Sequence, residues 1–167
     1  IVKTVISSLS ALLKESNVNV TVYLLPSLAC AANQVTQLFQ NLISNAIKFR
    51  GKQSPTIHIS ATPQPSEQTI KHWMFSVQDN GIGIDSSSNQ QERIFSLFQR
   101  LHTRQELEGY GIGLAICKKI IERHNGRIWV ESQANQGATF YFMLPVQVKF
   151  SQPSLPTQTN PAQFENA

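Results

Sequence analysis

Three groups of residues have types and spacings suited to chemistry. Trp73, Phe75 and Val77 alternate with Met74, Ser76 and Gln78, the period of two expected of a strand. Asp79 continues the parity of the first set, so a carboxylate points toward the packed side just where Gly81 and Gly83 break the strand. A charge against apolar surface requires donors, and these are either a ligand amine or the backbone of a Gly-rich turn. The second group is Gln34, Gln37, Asn41, Asn45 and Lys48, one stripe of a helix-periodic segment. At 100° per residue the last three lie within about 60° of arc. The stripe is open to two readings, a solvated face or a site. Asn is a poor helix former, and two at i, i+4 suit a plain surface less well than Glu or Lys. Amide oxygens can ligand a hard cation such as Mg²⁺, and a lysine can neutralise phosphates that the cation bridges. The third group is Gly109-Tyr110-Gly111-Ile112-Gly113-Leu114, which opens directly into a helical pattern. Glycines there let backbone approach a phosphate, and first-turn N–H groups attract anions. The pattern follows a long polar stretch instead of a strand, which argues against a dinucleotide-binding fold. Arg100, His102 and Arg104 add positive charge beside it.

The elements that must position these groups follow from periodicity. Val5, Ile6, Leu9, Leu12 and Leu13 predict a helix over residues 3–15 with one face packed inward, and Val18, Val20 and Val22 a first strand ended by Pro26. Val35, Leu38, Phe39, Leu42, Ile43, Ala46 and Ile47 form an apolar stripe without a gap on the helix that carries the two asparagines. Strands are expected over residues 56–62 and 72–79, paired as a hairpin, with Pro63, Pro65 and Ser66 in the loop between them. The polar run at 86–91 is expected to be mobile. Ile94, Phe95, Leu97, Phe98 and Leu101 predict a short apolar helix that anchors an otherwise polar segment to the body of the domain. A helix over residues 112–124 should stop at Asn125-Gly126, and strands 127–132 and 138–144 flank a turn at 135–137. From Val146 onward, richness in Pro, Gln, Ser and Thr predicts disorder.

A chain of 167 residues with 41% hydrophobic content suits one domain with a real core. A net charge of +4 without runs of like charge makes no case for nucleic acid. Cys30 and Cys117 are isolated, which predicts buried, reduced thiols and a cytoplasmic setting. No apolar run approaches the roughly 20 residues of a membrane span, so no membrane contact is expected. The first residue is Ile1, which predicts a piece of a longer protein.

NLISNAIKF, DNGIGI, IFSLFQR, GYGIGLAICKKII and GATF follow one another in this order. The series resembles the asparagine box, first glycine box, phenylalanine box and second glycine box of the ATP-binding domain of sensor histidine kinases, over residues 2–145. FRGKQ and FQRLHTR are similar to the phytochrome-like sensor kinases of cyanobacteria. The resemblance implies an α/β fold of the Bergerat, or GHKL, type: a two-layer sandwich of a mixed β-sheet and helices with a flexible ATP lid. The domain would occupy residues 1–145, with a tail at 146–167. The resemblance makes Asp79 the acceptor of the adenine amino group and Asn45 the Mg²⁺ ligand, with Asn41 and Lys48 near the phosphates and Phe49 beside the nucleotide. Gly81 and Gly83 would hinge one end of the lid and Gly109, Gly111 and Gly113 the other, with Phe95 and Phe98 pinning it. Arg100 would reach the γ-phosphate and form the catalytic set with Asn41 and Lys48, while Leu114 and Thr139 complete the nucleotide-binding positions.

By that resemblance the chain is the catalytic fragment of a protein histidine kinase, using ATP and Mg²⁺. Its implied partners are the histidine-containing dimerisation domain of the parent kinase and the receiver domain of a response regulator. Two departures stand out. Ala31 occupies a helix-capping position where relatives often have Asp, and the phosphoacceptor histidine motif is absent, since His58, His72, His102 and His124 lie outside any such context. The competing readings are an ATP hydrolase of the same superfamily and a module that binds partners without catalysis. The hydrolases carry a Glu base four residues before the metal-binding Asn, where this chain has Asn41.

Overall fold

The computed structural model describes residues 1–66, 69–85, 90–96 and 112–146. Five helices and five strands are found there: α1 (Val2–Ser8), α2 (Ser10–Glu15), β1 (Asn19–Val22), α3 (Ala32–Lys48), β2 (Thr56–Ser66), β3 (Thr69–Asp79), α4 (Gln90–Arg93), α5 (Gly113–Arg123), β4 (Arg127–Ser132) and β5 (Ala138–Pro145). The strands form one mixed sheet in the order β1-β2-β3-β5-β4. β1 and β2 are parallel and joined through α3, while the other pairs are antiparallel. This is the α/β architecture that the sequence implies.

The core lies between α3, α5 and one face of the sheet. All seven residues of the apolar stripe on α3 are buried. They meet Ile57, Ile59, Phe75, Val77, Phe140 and Phe142, the inward set of three adjacent strands. Phe142 sits at the centre, stacked on Phe75 at 4.9 Å and edge-on to Phe39 at 5.6 Å. Truncating such a fully buried phenylalanine to alanine costs about 3–5 kcal/mol. α5 ends in a Schellman turn: Asn125 takes φ 55°, and the Asn125 and Gly126 N–H groups donate to Glu122 O and Ile121 O. Gly126 is needed for closeness, since a Cβ there would lie 2.0 Å from Met143 O.

The structure corrects several expectations. The first helix is broken at Leu9 (φ −95°, ψ 6°) into α1 and α2, and Leu12, expected inward, is 40% exposed. The prolines expected in a loop belong to β2, which continues to Ser66 with a register shift at Gln64/Pro65. Pro55 O and Ile59 O accept from β1 and its continuation, so odd-numbered residues of β2 turn their backbone groups to that side. β1 has ended before Pro63, and its missing N–H faces an open edge. Ile94 and Phe95 are buried, with Phe95 edge-on to Phe140, but they follow α4 in a turn instead of forming a helix. Cys117 is buried, whereas Cys30 is only partly so. Residues 86–89, Leu97, Phe98, Leu101, His102, Arg104 and the tail from residue 147 lie outside the described residues. No helix among the described residues is long and apolar enough to cross a membrane.

α3 starts without a capping side chain: Ala31 is its N-cap, and the first turn holds no acid. Ala31→Asp should raise the unfolding free energy by about 1 kcal/mol by accepting first-turn N–H groups and complementing the helix dipole. Denaturant unfolding of the two proteins measures this, and an unchanged midpoint would count against the cap.

Candidate functional site

The alternation of β3 brings Asp79 to the packed side, beyond Phe75 and Val77. Its Oδ1 accepts from Gly81 N at 2.8 Å and from Ala138 N at 3.3 Å. Loss of solvation on burial pushes its carboxyl above the ordinary carboxylate range, and the two N–H groups partly offset that. Both donors serve one oxygen. Among the described residues no hydrogen bond reaches Oδ2, which leaves that oxygen able to accept from a ligand.

The loop after Asp79 is stitched to its surroundings. Ile82 N donates to Phe49 O at 2.9 Å, and a Cβ on Gly81 would stand 2.4 Å from that same carbonyl. The residue after α3 and the carboxylate loop are therefore in direct contact. Asn80 clamps the loop from the other side, accepting from Thr56 N at 2.8 Å and donating to Ser54 O at 2.9 Å. Ser132 Oγ accepts from Ile84 N and donates to Gly137 O. Gly83 takes φ 67° against Gln133 O. Gly81 and Gly83, expected as a hinge, thus occupy positions of close backbone packing.

α3 carries the rest. Asn41, Asn45, Lys48 and Phe49 are all partly buried, and Lys48 Nζ lies 5.2 Å from the centre of the Phe49 ring. Asn41 Nδ2 donates to Gly113 O in the first turn of α5 at 3.2 Å, and its amide also acts on the Cys117 thiol. That thiol is pushed up to about 12, chiefly by burial. Leu114 packs against the core beside Gly113. Asp79, Phe49 and Lys48 are thus gathered at the C-terminal end of α3, and Asn41 with Gly113 about 12 Å away along the helix at 1.5 Å per residue. Asn45 lies between them.

Thr139 differs from Asp79 in strand parity. Asp79 pairs with Ala138 and Gln78 with Thr139, and β5 alternates with Ala138, Phe140 and Phe142 buried. Thr139 therefore takes the opposite parity to Ala138 on β5, although one open depression of about 350 Å³ is lined by Thr139 together with Asp79, Ala138, Glu131 and Ser132. Ala138 takes the place beside Asp79. Arg100, Gly109 and Gly111 lie outside the described residues. Asn80, Ser132 and Ala138 were missed, although an Asn between a strand and a glycine is a recognised turn signal. No group of three or more His, Cys, Asp or Glu among the described residues could hold a metal ion.

Over residues 30–148 the chain matches the family described as histidine kinase-, DNA gyrase B-, and HSP90-like ATPase. The chain belongs to this ATPase family. Within it, the chain is 58% identical over 132 residues to cyanobacterial phytochrome A of Nostoc sp., covering 79% of this chain and 16% of that protein. It is 48% identical over 146 residues to phytochrome-like protein Cph1 of Synechocystis sp., covering 87% and 19%. The chain thus spans less than a fifth of these relatives. Among solved structures, the nucleotide-free catalytic domain of histidine kinase ThkA matches with a TM-score of 0.70 at 27% identity, covering 87% of this chain and 92% of that one. Full-length ShkA in complex with AMPPNP shares the fold, with a TM-score of 0.72 at 24% identity, covering 90% and 30%. The ATPase-family fold and the resemblance to cyanobacterial phytochrome kinases are both as the sequence motifs indicate.

Burial gives Asp79 a raised folded-state pKa, so the folded protein binds its proton more tightly than the unfolded chain. Stability from this group is present at low pH and lost as pH rises from about 4 through the raised value. Asp79→Asn should therefore gain on the wild type as pH rises from about 4 through that raised value. Urea titrations across that range test this, and a variant that loses ground with rising pH would reverse the sign.

Proposed function

We propose that this domain binds Mg²⁺-ATP and passes its γ-phosphate to a histidine on a dimerisation domain of the parent kinase, from which a response-regulator receiver domain would take it. The observation that supports this most directly is the Asp79 carboxylate, fixed through Oδ1 by two backbone N–H groups with Oδ2 left to accept from an adenine amino group. From there the substrate would extend along α3, past Lys48 and Asn45, toward the N-terminus of α5. Helix N-terminal N–H groups would favour its phosphates there, and Lys48, further back along α3, would add positive charge on the way. The donor set fits Mg²⁺, which takes one or two protein oxygens and fills its shell with phosphate and water. The Asn45 amide oxygen would supply the protein ligand, and the ion would neutralise charge on the transferring phosphoryl group. Phosphoryl transfer depends chiefly on positioning and charge stabilisation, and these residues would do both.

The ThkA structure with its response regulator TrrA matches this chain with a TM-score of 0.65 at 25% identity, and that pairing supports a receiver domain as downstream partner. Hydrolysis of ATP is disfavoured because position 41 holds an amide, not a carboxylate base, and its Nδ2 is committed to Gly113 O. A cytoplasmic setting belongs to the same reading.

Calorimetry should show Asp79→Asn weakening ATP binding at least about tenfold, the value of one charge-assisted hydrogen bond. Asn45→Ala should lower affinity in Mg²⁺ but little in EDTA, because the side chain acts through the ion. Unchanged affinity in both variants would remove the site. With labelled ATP the domain alone should accumulate little phosphoprotein and release ADP slowly, then label a histidine-containing dimerisation domain added at high concentration. Rapid ADP release without acceptor would favour the hydrolase reading.

A further inference from the structure

We propose that His124 is a positioning residue for the nucleotide site: it holds α5 in axial register on α3, so that Gly113 stays against Asn41. The role rests on the reading that this helix pair receives nucleotide. The His124 ring is 1% exposed. Nε2 accepts the Ala31 N–H at 3.2 Å, and Nδ1 lies 2.8 Å from Ile120 O. A carbonyl only accepts, so Nδ1 carries the ring proton and Nε2 presents its lone pair. Two backbone groups thus settle both the tautomer and the ring plane.

The places of these groups give the contact its consequence. Ala31 is the N-cap of α3 and His124 the C-cap of α5. At the other end of the same helix pair, Asn41 Nδ2 donates to Gly113 O at 3.2 Å. The helices run antiparallel, and the two polar ties stand about 15 Å apart along either axis at 1.5 Å per residue. Between them the described contacts are largely apolar. Cys117 is buried under Leu38, its Sγ 3.9 Å from Leu38 O, and Ile120 and Ile121 are buried in the same core. Apolar packing resists separation of the helices but is non-directional, whereas hydrogen bonds fail steeply with misalignment. A tie at each end therefore fixes sliding and tilt together. Without the His124 tie, α5 pivots on Asn41, and its first-turn N–H groups lose their fixed aim toward the phosphates.

The test compares wild type, His124→Gln, His124→Leu and Ala31→Pro. Gln keeps an acceptor near the Nε2 position, while Leu removes it. Proline replaces the donor N–H, and the Ala31 φ of −72° suits it. Amide hydrogen exchange at residues 113–117 without ligand reads the register, and calorimetry with a non-hydrolysable ATP analogue reads the site. His124→Leu and Ala31→Pro should each speed exchange at 113–117 about tenfold and weaken analogue binding about tenfold, with His124→Gln within about twofold of wild type in both. Loss of protection spread evenly over the molecule, with none specific to 113–117, would make His124 merely structural and overturn the proposal. A His124→Gln protein as impaired as His124→Leu would also overturn it. Should His124→Leu not fold, Ala31→Pro decides from the donor side. Should wild type bind no analogue, the nucleotide reading fails, and with it the role of His124 at that site, while exchange still decides the register.

Discussion

Burying Val35, Leu38, Phe39, Leu42, Ile43, Ala46 and Ile47 against one face of the sheet leaves α3 no freedom to rotate about its axis. Turning it by one residue's angle, about 100°, would bring amides into the core and isoleucines into water. That single constraint fixes where Asn41, Asn45 and Lys48 lie. The polar stripe needs no separate positioning because its phase is the complement of a phase held by the whole core. The same helix ends at Phe49, whose carbonyl receives Ile82 N, so the register of α3 also sets the distance to Asp79.

The Asp79 end depends on backbone closeness. Gly81 and Gly137 admit carbonyls where any side chain would collide, 2.4 Å from Phe49 O and 2.0 Å from Asp79 O respectively. This packing keeps the carboxylate dry enough to be raised in pKa while its Oδ1 remains satisfied. The cost of a partly desolvated charge is tolerable because two N–H groups answer it.

The sequence was most informative where one element decides its own environment. The α3 stripe, the inward parity of Asp79 and the stop at Asn125-Gly126 all follow from local periodicity or local backbone preference, and all stand in the structure. It was least informative where a neighbour decides. Pro63 can sit in a strand only because β1 stops short of it, and nothing near Pro63 in the chain states the length of β1. The partner of Asn41 is a carbonyl 72 residues away, and His124 meets Ala31 across 93. Neither side chain's role could be read from spacing. Thr139 is a different case, since the apolar alternation of Ala138, Phe140 and Phe142 already gave it the opposite parity.

The two thiols differ in a way that makes one of them a clock. Cys30 is partly exposed near the entry to α3, whereas Cys117 is sealed between α5 and Leu38. Only a thiolate reacts readily with electrophiles, and a thiol pushed up to about 12 and closed off from solvent offers almost none in the folded state. An alkylating reagent under native conditions should therefore consume Cys30 first and reach Cys117 only when α3 and α5 part. The lag between the two reactions reports how often that interface opens.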